Sequence, residues 1–422
     1  MKTINTKTLL IATLSLALAT GITSCKKQGC TDVDASNFDS KAKKDDGSCT
    51  YSTPSDGGGS TSSDVTLSGE VTADKTIRAI DNNTLKGGVH VKAGSTLTIE
   101  AGAKLIADPN ESVAYILIEQ GAKIIAEGTA EAPILFTSSD AKRGSWGGLI
   151  LCGRAPIGGG TRTAEVGNVT YGGTDASDNS GILRYVRVEY TGNAINSEKE
   201  HNGITFNGVG NGTVVSHCQA YFGNDDGFEW FGGTVNCSNL VAIGCKDDSF
   251  DWTYGYTGSL TYLYAKQASD EGDRGIEADN DSKANDNSPF SNPTIANVTL
   301  IGRGVSFGTD GIKLREGTKG NISNVIIEGF NESVDIEHNQ TFDNVAAGGL
   351  KVSNVKTMGD KTALKYSSMK KPEIAGSSWA TDSTTNANKL LSAEASGNIV
   401  VAGASGTATG SGTDWFGTWV RQ

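Results

Sequence analysis

Along the chain, one short pattern of apolar and polar positions keeps returning. Centred on its middle apolar residue, it occurs at Ile204 in "NGITF", Phe228 in "DGFEW", Phe250 in "DSFDW", Ile276 in "RGIEA", Ile312 in "DGIKL", Val334 in "ESVDI" and Leu364 in "TALKY", at steps of 24, 22, 26, 36, 22 and 30 residues. The central residue is apolar, the next polar or charged, and the one after it usually apolar again, which is the period of a strand with one buried face. A second strand runs through "RYVRVEY", "NLVAIG", "ANVTLIG" and "NISNVIIEG", and upstream "GAKLIA" at Gly102 returns as "GAKIIA" at Gly121. A unit of roughly 22 to 26 residues with two or three short strands, copied in one direction, predicts an all-β, single-stranded parallel β-helix, a solenoid whose rungs stack to build one apolar column. Sandwiches and propellers, which are built from hairpins, fit such copies less well. The longer steps predict loops that leave the rungs between Ala278 and Pro293 and between Asn339 and Gly349.

Composition fills in the corners and the ends. The 55 glycines, with frequent Asn and Asp, suit tight corners that need positive φ or side-chain hydrogen bonds to the backbone. The start of the chain reads differently. Lys2 and Lys7 precede the apolar run from Leu9 to Ala19, of signal-peptide length and too short to span a bilayer. Ile22-Thr23-Ser24-Cys25 then resembles a bacterial lipoprotein box, which implies cleavage before Cys25 and a membrane tether through lipid on its thiol. Residues 1–24 are thus expected as signal peptide and 25–49 as an Asp-rich module closed by a Cys30–Cys49 disulfide. Residues 50–64 should form a Gly/Ser linker, and 65–422 the β-helix with its C-terminal cap. Cys152, Cys218, Cys237 and Cys245 are left with three possible pairings or as buried thiols.

Charge narrows the partners. Loss of residues 1–24 removes two lysines and no acid, taking the formal charge from −12 to −14. Nucleic acid is therefore not expected as a partner, whereas cations and uncharged glycans are. The candidate chemistry sits in "GNDDGFEW" and "CKDDSFDW". If Phe228, Trp230, Phe250 and Trp252 turn inward, Glu229 and Asp251 turn outward and stack, in a column that continues through Glu277, Lys313, Asp335 and Lys365. Asp226 and Asp248 form a second column at the strand entrance, with Asn202 before them and Arg274 after. Stacked acids repel unless a cation, a proton or a basic neighbour intervenes. Asp226, Asp248, Glu229 and Asp251 are accordingly the candidate ligands of calcium, the expected cofactor. Glu229, Asp251, Asp273, Arg274, Glu277, Lys313 and Arg315 are the candidate binding residues, with Tyr254, Tyr256 and Tyr262 as aromatic platforms for sugars.

Two resemblances add to this reading. "GSTLTIEAGAKLIA", "AEGTAEAPILFTS", "GSWGGLIL" and the C-terminal "DWFGTW" resemble lipid-anchored right-handed parallel β-helix proteins of the Bacteroidetes, a group whose resemblance implies the fold and the envelope setting but no biochemical function. "NDDG" followed by "DD" one rung later is similar to the carboxylate motifs of polygalacturonases, which implies Asp226, Asp247 and Asp248 as catalytic acids. That family's histidine motif has no counterpart here, and its Arg-Ile-Lys clamp is met only by Lys313 and Arg315 in reversed order. The expected function is a lipid-anchored outer-membrane protein of the cell envelope, periplasmic or surface-facing, that binds a polysaccharide, calcium or an envelope protein as an adhesive or scaffold surface. The alternative is a polysaccharide-degrading enzyme, either a polygalacturonase-like hydrolase or a pectate-type lyase that uses the acid cluster.

Overall fold

The computed structural model describes residues 61–110, 113–194, 200–367, 388–389, 392–401 and 405–422, with residues 27, 42, 44 and 48 in isolation. The chain divides into two compact units, 1–61 and 62–422, and the second holds every strand of the solenoid. Cys25, Cys30 and Cys49, with the lipid and disulfide expected of them, lie outside the described residues.

Parallel strands stack from Asp64–Val71 to Ile399–Val401. The recurring pattern is one face of the stack, here called the front sheet. Ile204 pairs with Phe228, Phe228 with Phe250, Phe250 with Ile276, Ile276 with Ile312, Ile312 with Val334 and Val334 with Leu364. Their side chains build the interior, where rings of successive rungs lie nearly parallel: Phe206 and Trp230 are 5.5 Å apart between centroids, and Phe228 and Phe250 5.7 Å. Offset stacking at this spacing adds to the burial of a full aromatic side chain. Cys152, Cys218, Cys237 and Cys245 are free, buried thiols. The two "GAK" copies are not stacked on each other. Lys104–Ala107 pairs with Ile134–Ser138, whereas Lys123–Glu127 pairs with Thr96–Ile99. What they share is the local turn, with Gly102 at φ 80 and Gly121 at φ 83, which a residue bearing Cβ adopts only at a cost.

The remaining two faces are made by long strands that bend midway. Pairing between Gly181–Glu189 and Val214–Tyr221 runs to Arg184–Ser216 and resumes at Val186–Cys218; the skipped residues, Tyr185 and His217, have φ of 50 and 54. The same corner recurs at Asn239, Tyr262, Asn297, Asn324 and Asn354, each with positive φ. Asparagine suits this left-handed position because its short amide bonds locally. It also bonds along the stack: Asn324 Nδ2 donates to Asn297 Oδ1 at 2.7 Å, and Asn354 Nδ2 to Asn324 Oδ1 at 3.3 Å.

Two segments leave the rungs and cover the outside. Residues 153–180 form a strap with a two-stranded hairpin, Arg162–Thr163 against Thr170–Tyr171. It lays Ile157, Ala164, Val166 and Tyr171 over Leu117, Ile150, Cys152 and Phe231 on the outer side of the front sheet. The C-terminal segment runs back along the corner column. The Thr409 amide donates to Asn324 Oδ1 at 2.8 Å, the Ser411 amide to Thr299 at 3.0 Å, and Trp419 meets Tyr185 and His217 at 5.8 and 5.6 Å. Gln219 holds Arg421 by both backbone groups, accepting from its N–H and donating to its C=O. This segment therefore lies along the flank, while Ile399–Val401 pairs with the last long strand. The predicted loops are present, the second containing the helix Asn339–Ala346.

Candidate functional site

From Asn202 to Asp335 both predicted columns form, and most of their side chains are more deeply enclosed than an outward-facing position on a bare solenoid would be. Glu229, Glu277 and Lys313 are 8%, 7% and 5% exposed and Asp335 is fully buried, because inserted loops wall the front sheet. Phe228, Trp230, Phe250 and Trp252 are buried in the core as expected. Tyr256 is not a sugar platform: it is buried, its hydroxyl donating to Val235 O at 2.8 Å. Tyr254 lies under the Arg162 guanidinium at 3.6 Å, and Tyr262 is exposed.

The entrance column has a structural task as well. Asp226 Oδ1 accepts the Asp248 N–H at 2.8 Å, and Asp248 Oδ1 accepts the Arg274 N–H at 2.7 Å, so each carboxylate ties its corner to the next rung. That uses one oxygen of each. Asp225, Asp226 and Asp247 bring a ligand atom each within 4.8 Å of one another; so do Asp226, Glu229 and Asp251, and so do Asp247, Asp248 and Asp273.

Positive charge is distributed unevenly along this sheet. Arg274 pairs with Asp248, Asp273 and Glu277, at 3.7, 2.5 and 2.9 Å. Arg315 pairs with Glu277 and Asp279, and Lys313 with Asp310, Asp335 and Glu337. Burial pulls the Lys313 ammonium toward neutrality, but Asp335 and Glu337 outweigh it and raise its pKa. Glu277, Lys313 and Arg315 thus form an internal ion-pair network. Upstream the balance is lost: among the described residues, Asp225, Asp226, Glu229, Asp247 and Asp251 have no ion pair with Lys, Arg or His. Asp251 Oδ1 is buried with no hydrogen-bond partner, whereas Glu229 accepts from the Asn202 amide.

Burial first, and then neighbouring acids, drive these carboxyls toward the protonated form. Asp225, beside Glu200 and Asp247, is pushed up to about 8. Asp226, Glu229 and Asp251 are held well above the ordinary carboxylate range. Asp248 is raised too, although Arg274 opposes the shift. Above this group opens a cleft of about 280 Å³ lined by Glu165, Glu200, Asn202, Asp225, Asp226, Glu229, Phe231 and Asp247. Three of the sequence-derived acids, Asp226, Glu229 and Asp247, line it. Asp225, Glu165 and Glu200 join them without having been singled out. Asp225 had a signal, since it precedes Asp226 in "NDDG"; Glu165 had none, because only the strap carries it there.

A cluster of this kind offers three outcomes: retained protons, a bound cation, or both in competition. Calcium takes oxygen ligands at about 2.3 to 2.6 Å, so oxygens on one ion lie within about 5 Å of each other, the separation these carboxylates have. The orphaned Asp251 oxygen and the missing counter-charge fit the same ion. An inverting hydrolase needs its two carboxyl groups about 6.5 to 9.5 Å apart, with a water between them.

Residues 69–420 match a family described as a pectate-lyase like beta helix domain, and the solenoid is of the right-handed parallel kind. No curated protein matches the chain. Among solved structures, the catalytic domain of a GH87 alpha-1,3-glucanase in complex with tetrasaccharides is similar at 9% identity and a TM-score of 0.33, over 72% of this chain and 60% of that one.

Proposed function

Because the chain belongs to the pectate-lyase like beta helix family, we propose that it is a carbohydrate-related protein whose acid cleft holds calcium and, next to it, a glycan. The observation that carries this reading is the group Asp226, Glu229 and Asp251, with a ligand oxygen from each within 4.8 Å of one another, in which Asp251 also has a buried oxygen, Oδ1, without a hydrogen-bond partner. Calcium would be held by these three side chains, with Asp225 and Asp247 beside it, and would supply positive charge in direct contact, where Arg315 acts on Asp251 only from a distance. The acids left around it disfavour polyanions, so the glycan is uncharged or held through the ion.

Thermal melting in calcium and in EDTA tests the ion site. Calcium at about 100 times its dissociation constant should add about 2.7 kcal/mol of stability, read as a rise in melting temperature. In Glu229→Gln the rise should disappear while the EDTA-treated protein melts no lower than wild type, because the neutral amide replaces a carboxyl that burial and the neighbouring acids already hold toward its protonated form. An unchanged melting curve for the wild type in calcium would end this reading.

A second reading, cleavage of the polysaccharide, draws on Asp225, whose carboxyl is pushed up to about 8 beside Asp247 in an open cleft, the condition a general acid needs. Asp225 would join Asp226, Asp247 and Asp248 as catalytic acids, with Arg274 paired to Asp248. New reducing ends or an ultraviolet-absorbing unsaturated product from the same calcium-loaded samples would establish it, and intact polysaccharide would leave the binding surface. The envelope setting is part of the proposal: lipid on Cys25 should appear as incorporated fatty-acid label in cells and vanish in Cys25→Ala, and label that persists in the variant would refute it.

A further inference from the structure

A second recess lies away from the acid cleft, on the flank where the C-terminal segment runs back over the long strands. Its volume is about 690 Å³, more than twice the about 280 Å³ of the cleft, and within the range of roughly 300 to 1,000 Å³ typical of small-molecule sites. Tyr221, Phe222, Tyr264 and Phe416 supply aromatic surface, and all four are partly exposed. Lys266 and Asp270 bring polar groups to the same walls.

These walls are fixed. Phe222 and Tyr221 lie under guanidinium groups, Arg143 at 4.7 Å and Arg421 at 4.5 Å. Arg143 donates to Asp270 Oδ2 at 2.8 Å and to Gly244 O at 2.9 Å, and Arg303 donates to Asp270 O at 2.7 Å, so the 267–270 loop is held from two sides. Phe416 meets Tyr264 edge to face at 5.1 Å. A preorganised site forgoes less entropy on binding than one that must be ordered by its ligand.

We infer that this flank groove is a glycan-binding subsite, taking a short segment of an uncharged polysaccharide. Its chemistry commits to that occupant. Pyranose rings present apolar C–H faces and hydroxyl edges, and the groove presents aromatic surface beside hydrogen-bonding groups of both kinds, donors on Lys266 and acceptors on Asp270. The lining carries one basic and one acidic side chain, Lys266 and Asp270, and Asp270 is paired with Arg143. A polyanion finds no cationic cluster here, and a purely apolar peptide would leave the polar walls unpaired. The groove shares no lining residue with the acid cleft.

The test is titration of the EDTA-treated protein with cellohexaose, laminarihexaose, xylohexaose and mannohexaose, followed by tryptophan fluorescence, for which Trp415 beside Phe416 at 4.7 Å is the reporter. At least one neutral hexasaccharide should bind saturably without calcium. Tyr264→Ala should weaken it on the order of tenfold, the loss expected of one aromatic contact. Ala268→Trp, which fills the groove from its rim without removing a buried side chain, should abolish binding while the melting temperature stays at the wild-type value. Absence of saturable binding by all four sugars, or binding that survives Ala268→Trp, would overturn the assignment. Glycan binding seen only with calcium would also overturn it, and would move the glycan to the acid cleft.

Discussion

At the scale of single residues, this protein pays for enclosing its charges, and the cost differs from place to place. Glu316 shows it away from the candidate ion ligands. Burial, and then the charge of Asp279, push its carboxyl up to about 9; at Asp310, burial outweighs the nearby Lys313 ammonium and the carboxyl rises to about 7. The Glu316 N–H donates to His338 Nδ1 at 3.0 Å, which requires a neutral imidazole nitrogen there and agrees with burial lowering the His338 pKa. Both acids keep their protons in the folded state at pH values where the unfolded chain, with ordinary carboxyls near 4, has released them. Stability must then fall as pH rises from about 4 through the folded values, by up to about 1.4 kcal/mol per pH unit for each retained proton. Urea denaturation in EDTA between pH 5 and 8 should show stability decreasing with pH. In Glu316→Gln the decrease should be shallower by about one proton; an unchanged slope would mean that Glu316 is ionised in the fold.

At the scale of elements, the informative unit is the bent long strand. Its corner needs a left-handed residue in every rung, and the downstream rungs use asparagine, which meets the φ and bonds to the next corner. Asn324, at φ 56, also receives the Thr409 amide at 2.8 Å. Asn324→Ala should cost about 2 kcal/mol in urea denaturation, part from the left-handed backbone and part from lost hydrogen bonds. Asn324→Gly should recover roughly half of that, since glycine accepts the conformation but offers no amide; equal loss in both variants would assign the whole effect to the hydrogen bonds. The strands themselves were legible in the sequence, because alternation around Ile204, Phe228 and Phe250 repeats at rung length and one register joins all seven copies. The "GAK" copies look alike for a different reason. They repeat a turn and not a rung position, and only pairing distinguishes the two.

At the scale of the whole molecule, the interior could be read from periodicity but the exterior could not. Which carboxylates stack was fixed by register, so Asp226, Glu229 and Asp251 were placed together from sequence. Which of them stay uncompensated depends on Arg274, Arg315 and Lys313 reaching particular partners, and their enclosure depends on the strap at 153–180. Neither is periodic. The flank groove escaped for the same reason, since Phe416 and Tyr264 meet only because the chain doubles back. That return has a consequence for how the molecule is made. Rungs contact neighbours a few tens of residues away and can stack while the chain is still emerging. Thr418, by contrast, bonds to Ala130 across 288 residues, and Arg421 to Gln219 across 202. In contact-order terms this clasp is a distant closure, and its residues are synthesised after every rung they fasten. A chain that stops short of Thr418 keeps every rung and the bonds from Thr409 and Ser411, but loses the fastenings that tie the last residues to the first half of the solenoid.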